Sequence, residues 1–164
     1  MAFLLKNTTY YIINKIPILL LFFVSLNGSA IIDLKIFSIN ILYILVYFWV
    51  LRKPESLGYG LIFVSGVITD VVHGFPIGST ALSLLIIAGS ASYVRVVTVR
   101  ITLINDWLSF IPALLITNLT YFTTLYLLDY SISYFYLFQS LIFTFFFYPV
   151  LWIAFSGLIR LMRS

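Results

Sequence analysis

From Lys15 to Arg163 nearly every charge stands at the edge of a long apolar run, and this spacing restricts the chain to a membrane bundle. A spanning helix needs about 20 mostly apolar residues, with about 17–25 as the usual range. Six runs meet or approach that length: Ile16–Ile32, Ile36–Leu51, Leu57–His73, Ser79–Val99, Trp107–Leu128 and Tyr134–Ile159. Hydrophobic residues make up 63% of the 164 and charged residues 9%, whereas soluble domains carry about 25% charged residues. No globule of this length hides so much apolar surface from water. The reading is an all-α integral membrane protein, one transmembrane domain over residues 1–164. Cys is absent, which excludes disulfides and thiolate metal sites.

The basic residues set the orientation. Lys6 and Lys15 precede the first run, Arg52 and Lys53 separate the second from the third, Arg95 and Arg100 close the fourth, and Arg160 and Arg163 follow the sixth. Only Lys35 falls on the opposite side, so eight of the nine basic residues share one side. The positive-inside rule makes that side cytoplasmic. Dropping any run breaks the alternation, so six transmembrane helices with cytoplasmic N- and C-termini are expected. The first two runs are short enough for a hairpin that does not fully cross, and the charge pattern keeps them as spans. No removable signal peptide is read at the N-terminus. The net charge of +4 follows from orientation and needs no nucleic-acid partner.

Asp70 lies inside the third run, shortly before Gly74-Phe-Pro76-Ile-Gly78 breaks it. An acid at a helix centre in the membrane costs about 2.5–3.5 kcal/mol on insertion scales. Such residues face protein or water and read as functional by default. Gly66, one turn earlier on the same face, points Asp70 inward. The Gly-x-Pro-x-Gly segment reads as a tight reversal, with Ser79-Thr80 capping the following helix. Asp70 and His73 share a face, which leaves several readings open: a metal ligand pair, a proton relay, a ligand contact, a cap on the amides of the next turn, or a bond to another helix. Two ligands are too few for a metal site, and His73 is the only histidine. No nucleophile–base pair, phosphate loop or metalloprotease motif is present, so neither a cofactor nor catalysis is expected.

Small residues mark inner faces of the bundle: Ser25, Gly28 and Ser29 in the first run, Gly58, Ser65 and Gly66 in the third, Ala81, Ala88, Gly89 and Ser92 in the fourth. In the fifth run Thr117, Thr120 and Thr124 share a face, with Asn118 and Thr123 beside it, suited to interhelical hydrogen bonds or to lining a pocket. Trp49, Tyr59, Tyr93, Trp107, Tyr130 and Tyr134 sit where headgroup-level anchors belong. Pro149 is expected to kink the sixth helix.

The block Tyr47-Phe48-Trp49-Val-Leu-Arg52-Lys53-Pro54-Glu55, followed by Gly66-Val-Ile-Thr-Asp70-Val-Val-His-Gly74-Phe-Pro76-Ile-Gly78, resembles the bacterial rod shape-determining MreD family. Length, apolarity and the six runs fit that family throughout, although His73 stands where an apolar residue is more usual. The resemblance implies a non-enzymatic scaffold of the cell-elongation complex in the bacterial cytoplasmic (inner) membrane. Its expected partner is MreC, and through it MreB filaments and the peptidoglycan polymerase–transpeptidase pair that builds the side wall. A homodimer is left open. Gly66, Asp70, Gly74, Pro76, Gly78, Arg52 and Pro54 become the structural and interaction candidates. The family's fold is similar to the substrate-binding subunits of energy-coupling-factor vitamin transporters, which makes a small-molecule binding subunit the alternative.

Overall fold

The computed structural model describes residues 2–27, 39–98, 102–130 and 134–163, with side chains described at 15–27, 39–98, 102–130, 135 and 138–160. Among these the chain is helical throughout: α1 (Ala2–Asn27), α2 (Ile41–Arg52), α3 (Tyr59–His73), α4 (Ser79–Val97), α5 (Leu103–Leu127) and α6 (Tyr134–Arg163), with a 3-10 turn at Pro54–Ser56 after α2. Three stretches are long and apolar enough to cross a membrane: Ser79–Val97, Leu103–Leu127 and Phe138–Arg160. Their outer faces suit lipid. On α5, Ile104, Leu108, Ile111, Leu115 and Leu119 recur at helical spacing and are all exposed, which in water would be an aggregation surface.

The ends of the first two helices differ from the sequence expectation. The described α1 covers Ala2–Asn27 and begins well before the span expected over Ile16–Ile32, whose last residues lie outside the described ones. Hydropathy locates lipid contact, and the polar stretch Lys6–Tyr10 does not prevent a helix from forming. α2 runs Ile41–Arg52, while Ile39 and Asn40 ahead of it are not helical. Gly28, Ser29, Asp33, Lys35 and Arg100 lie outside the described residues, as do the side chains of Lys6, Tyr134 and Arg163.

α2 is the centre of the packing. Its 12 residues extend only about 18 Å at 1.5 Å per residue, and every residue from Ile41 to Leu51 is buried. It packs against α1, α4 and α6. Asn40 starts it: the side-chain Oδ1 accepts the Tyr43 amide at 3.2 Å, and the Asn40 amide donates to Thr144 Oγ1 at 2.9 Å. Thr144 lies well inside α6, so α2 begins beside the body of that helix. Trp49, expected as a headgroup anchor, is fully buried against Phe48 and Phe155. A helix apolar on every face carries no sign of which side meets lipid and which meets protein, and α2 surrounds itself with protein.

α3 and α4 form an antiparallel hairpin held by close backbone approach. A Cβ added at Gly66 would come within 2.7 Å of the Ala81 backbone nitrogen and closer still to its Cα. Ala81, Ala88, Ser65 and Ser25 are buried as the small-residue stripes required, whereas Gly58 and Gly89 face outward and Ser92 is half-buried. In lipid no hydrophobic effect drives helices together, so such contacts rest on dispersion and polar bonds. Gly66→Ala forces the two backbones apart. The expected loss is about 1–3 kcal/mol, as for other overpacked sites, read as a lower midpoint of unfolding in detergent. A midpoint equal to wild type would show that the helices do not approach this closely.

Candidate functional site

The hairpin turn is built by two glycines in the left-handed region. Gly74 (φ 67°) ends α3. The Phe75 amide returns to the Asp70 carbonyl at 2.9 Å and the Gly74 amide to Val71 at 3.4 Å, a closing pattern that depends on that backbone conformation. Gly78 (φ 101°) then opens α4. Pro76 lies between them, and its carbonyl accepts both the Ser79 amide at 3.1 Å and the Ser79 hydroxyl at 2.8 Å.

This turn places the start of α4 on the Asp70 carboxylate. Oδ2 accepts the Gly78 amide at 2.8 Å. Oδ1 accepts the Thr80 amide at 3.0 Å, and the Ser79 hydroxyl, whose single proton is closer to the Pro76 carbonyl, lies 3.2 Å from it. Asp70 is wholly buried. The α4 N-terminus offers free amides and a partial positive charge, and the carboxylate meets both. The cap therefore comes from the preceding helix. Ser79 and Thr80, expected to supply it, contribute no side-chain cap.

His73 is not brought to Asp70's side of the structure. It is exposed, its Nδ1–H donates to Thr69 O at 2.7 Å, and its ring stacks on Phe75 with centroids 5.6 Å apart. Among the described residues no group of three or more His, Asp or Glu is placed to hold a metal.

A second buried acid sits at the other end of the bundle, and sequence reasoning passed over it. Asp106, in the first turn of α5, is 1% exposed and pairs with Arg52 at the end of α2, Nη2 to Oδ2 at 2.9 Å. The Trp152 indole N–H of α6 donates to the same oxygen at 3.0 Å. The Arg52 guanidinium lies 5.1 Å from the Trp152 ring centroid and 5.7 Å from that of Phe48. One charge pair thus ties three helices together. Beside it Tyr47, Phe110 and Tyr148 pack ring on ring, with centroids 4.6–5.9 Å apart. The signal was present: Asp106 is an acid among the basic clusters of its side, at the start of an apolar run. The rule that singled out Asp70 applies to it equally.

No family model, curated protein or solved structure matches this chain. Assignment therefore rests on residues and geometry.

The remaining candidates divide. Pro54 opens the 3-10 turn after Arg52 and bonds to nothing in either charge site. The polar stripe of α5 does not reach across helices. Thr120, Thr123, Thr124 and Asn118 each donate to the carbonyl four residues earlier, the usual fate of such side chains when no partner is near. Thr117 is buried without a hydrogen-bond partner. A lateral groove of about 560 Å³ runs between α4 and α5, lined by Gly89, Ser90, Tyr93, Val97, Ser109 and Pro112 among others.

Proposed function

We propose that this chain is an MreD-like scaffold of the bacterial cell-elongation complex: six spans, both termini cytoplasmic, in the cytoplasmic membrane, supporting side-wall peptidoglycan synthesis through MreC. The observation that carries the reading is the use made of the sequence block that resembles the family. Gly66 allows α3 against α4, and Gly74, Pro76 and Gly78 shape the turn. Asp70 then fastens α4 through the Gly78 and Thr80 amides, with the Ser79 hydroxyl beside them. Every distinctive residue of the motif between Gly66 and Gly78 serves the hairpin, which suits an architectural protein better than a transporter subunit or an intramembrane acid–base catalyst. Arg52, the basic end of the preceding motif, serves the bundle in the same way.

Affinity purification of the full-length protein from native membranes tests this. MreC is expected to co-purify, and depletion is expected to convert rods to spheres. A tightly bound vitamin-sized molecule together with ATPase subunits, with cell shape unchanged on depletion, would instead establish the transporter alternative.

A further inference from the structure

Gly89, expected on an inner face of the bundle, is exposed, and a Cβ added there would meet nothing within 4 Å. No neighbouring helix needs this glycine for close approach, unlike Gly66. Its effect is to deepen the groove between α4 and α5. That groove encloses about 560 Å³ and is bordered by Gly89, Tyr93 and Thr98 on one side and by Ser109, Pro112 and Ile116 on the other. Ala113, 2% exposed, lies at its floor, while Tyr93 and Ile116 stand exposed at its edges.

The length of the groove selects its occupant. From Gly89 to Thr98 the chain rises about 14 Å, and from Ser109 to Ile116 about 10 Å, at 1.5 Å per residue. That is half of the about 30 Å of hydrocarbon, and it is the half next to the connection between α4 and α5. Farther along α4 the same face carries Ile86 and Leu82 in place of glycine, and the groove stops. A transmembrane helix, from a partner or a second copy, would need a track along the whole thickness. A lipid tail needs one leaflet only.

We propose that this groove is a lipid site, which seats one acyl chain of a phospholipid from the leaflet on the basic side of the bundle. That leaflet is cytoplasmic in the orientation proposed above, on which its name rests. The volume falls within the about 300–1,000 Å³ of sites that hold a single small ligand. The seated chain touches two helices at once, against Val94, Pro112 and Ala113, and such contacts are individually weak and collectively large. A tail lying on the convex outer face of α5 has no second wall. The last turn of α4, at the connection end of the groove, carries Arg95, which is exposed and suits an anionic headgroup.

Native mass spectrometry of the full-length protein tests this, after delipidation in detergent and titration with phosphatidylglycerol. The wild type is expected to take up one lipid per chain ahead of any others. Gly89→Leu places a side chain in the groove and is expected to weaken that first binding about tenfold. Ser109→Leu obstructs the groove from α5 and repeats the measurement independently of the fold of the first variant. Gly157→Leu is the control: Gly157 in α6 is also exposed with nothing within 4 Å, so wild-type affinity is expected. The proposal is overturned by a wild type that shows no preferred first lipid, by groove variants that bind as tightly as wild type, or by a control that weakens as much as they do. A dimer or bound polypeptide that Gly89→Leu abolishes, with lipid affinity unchanged, would overturn it too and give the groove to a helix. Recovery of MreC is measured separately, so the lipid site and the scaffold reading fail independently.

Discussion

Arg52→Met is expected to lower the free energy of unfolding by about 3–5 kcal/mol, the range for breaking a buried ion pair from one side. Methionine keeps most of the aliphatic stem, so lost packing is a minor part. What remains is Asp106, 1% exposed and without its cation, held only by the Trp152 indole in surroundings of low polarity. The stacking of the guanidinium on Trp152 and Phe48 is lost as well. Arg52→Lys should fall between wild type and Arg52→Met, because a lysine ammonium meets one oxygen and does not stack as a plane. The decisive comparison is the double variant Arg52→Met/Asp106→Leu. Replacing both partners by apolar groups is often neutral, so the double variant is expected to recover at least half of the single variant's loss. Equilibrium unfolding in mixed micelles reads all three. A single-variant loss below about 0.5 kcal/mol, the scale of an exposed pair, would show that Asp106 is not isolated from water.

The two charge sites were unequally legible, for a physical reason. Asp70 could be placed because its partners are local: the carboxylate and the amides of Gly78 and Thr80 are separated by eight to ten residues, and glycine and proline between them announce the turn. Arg52 and Asp106 stand 54 residues apart. Nothing in either neighbourhood names the other, and the charge count used Arg52 only for orientation. The same limit applies to α2. Alternation of apolar and polar faces tells a buried side from a wet one, but a membrane protein is apolar on both, and Ile41–Leu51 reads alike as a lipid-facing span or as the centre of the bundle. Length was the better clue: the run Ile36–Leu51 is already shorter than the usual range of about 17–25 residues for a span. The α5 threonines misled in the opposite direction. Their shared face suggested a partner helix, yet the hydroxyls of Thr120 and Thr124 return to their own backbone.

Asp70→Leu is the second large effect expected, a loss of about 3–5 kcal/mol from two amides at the α4 start, taking hydrogen bonds to a charged group at about 1.5–3 kcal/mol each. The affected atoms have few alternatives. Gly78 and Thr80 present their amides where α4 has not yet formed carbonyl partners, and Thr80 is 5% exposed, so protein rather than water surrounds it. Asp70→Asn separates the cap from the charge. Its amide oxygen can take the Oδ2 position and accept from Gly78. Its NH₂ then stands where Oδ1 accepted the Thr80 amide, a donor facing a donor, with only Ser79 Oγ, whose proton goes to Pro76, left to accept from it. The Thr80 amide keeps only the longer contact, 3.3 Å to the Oδ2 position, and the attraction between carboxylate and helix terminus is lost. Asparagine should therefore cost about 1–2 kcal/mol, well under leucine. This order discriminates between roles: a cap tolerates asparagine, whereas a proton-transfer residue does not. Midpoints of unfolding that rank wild type above Asn above Leu, with partner recovery from membranes following the same rank, establish Asp70 as the fastening of α3 to α4. Full stability in Asp70→Leu would remove it from that role.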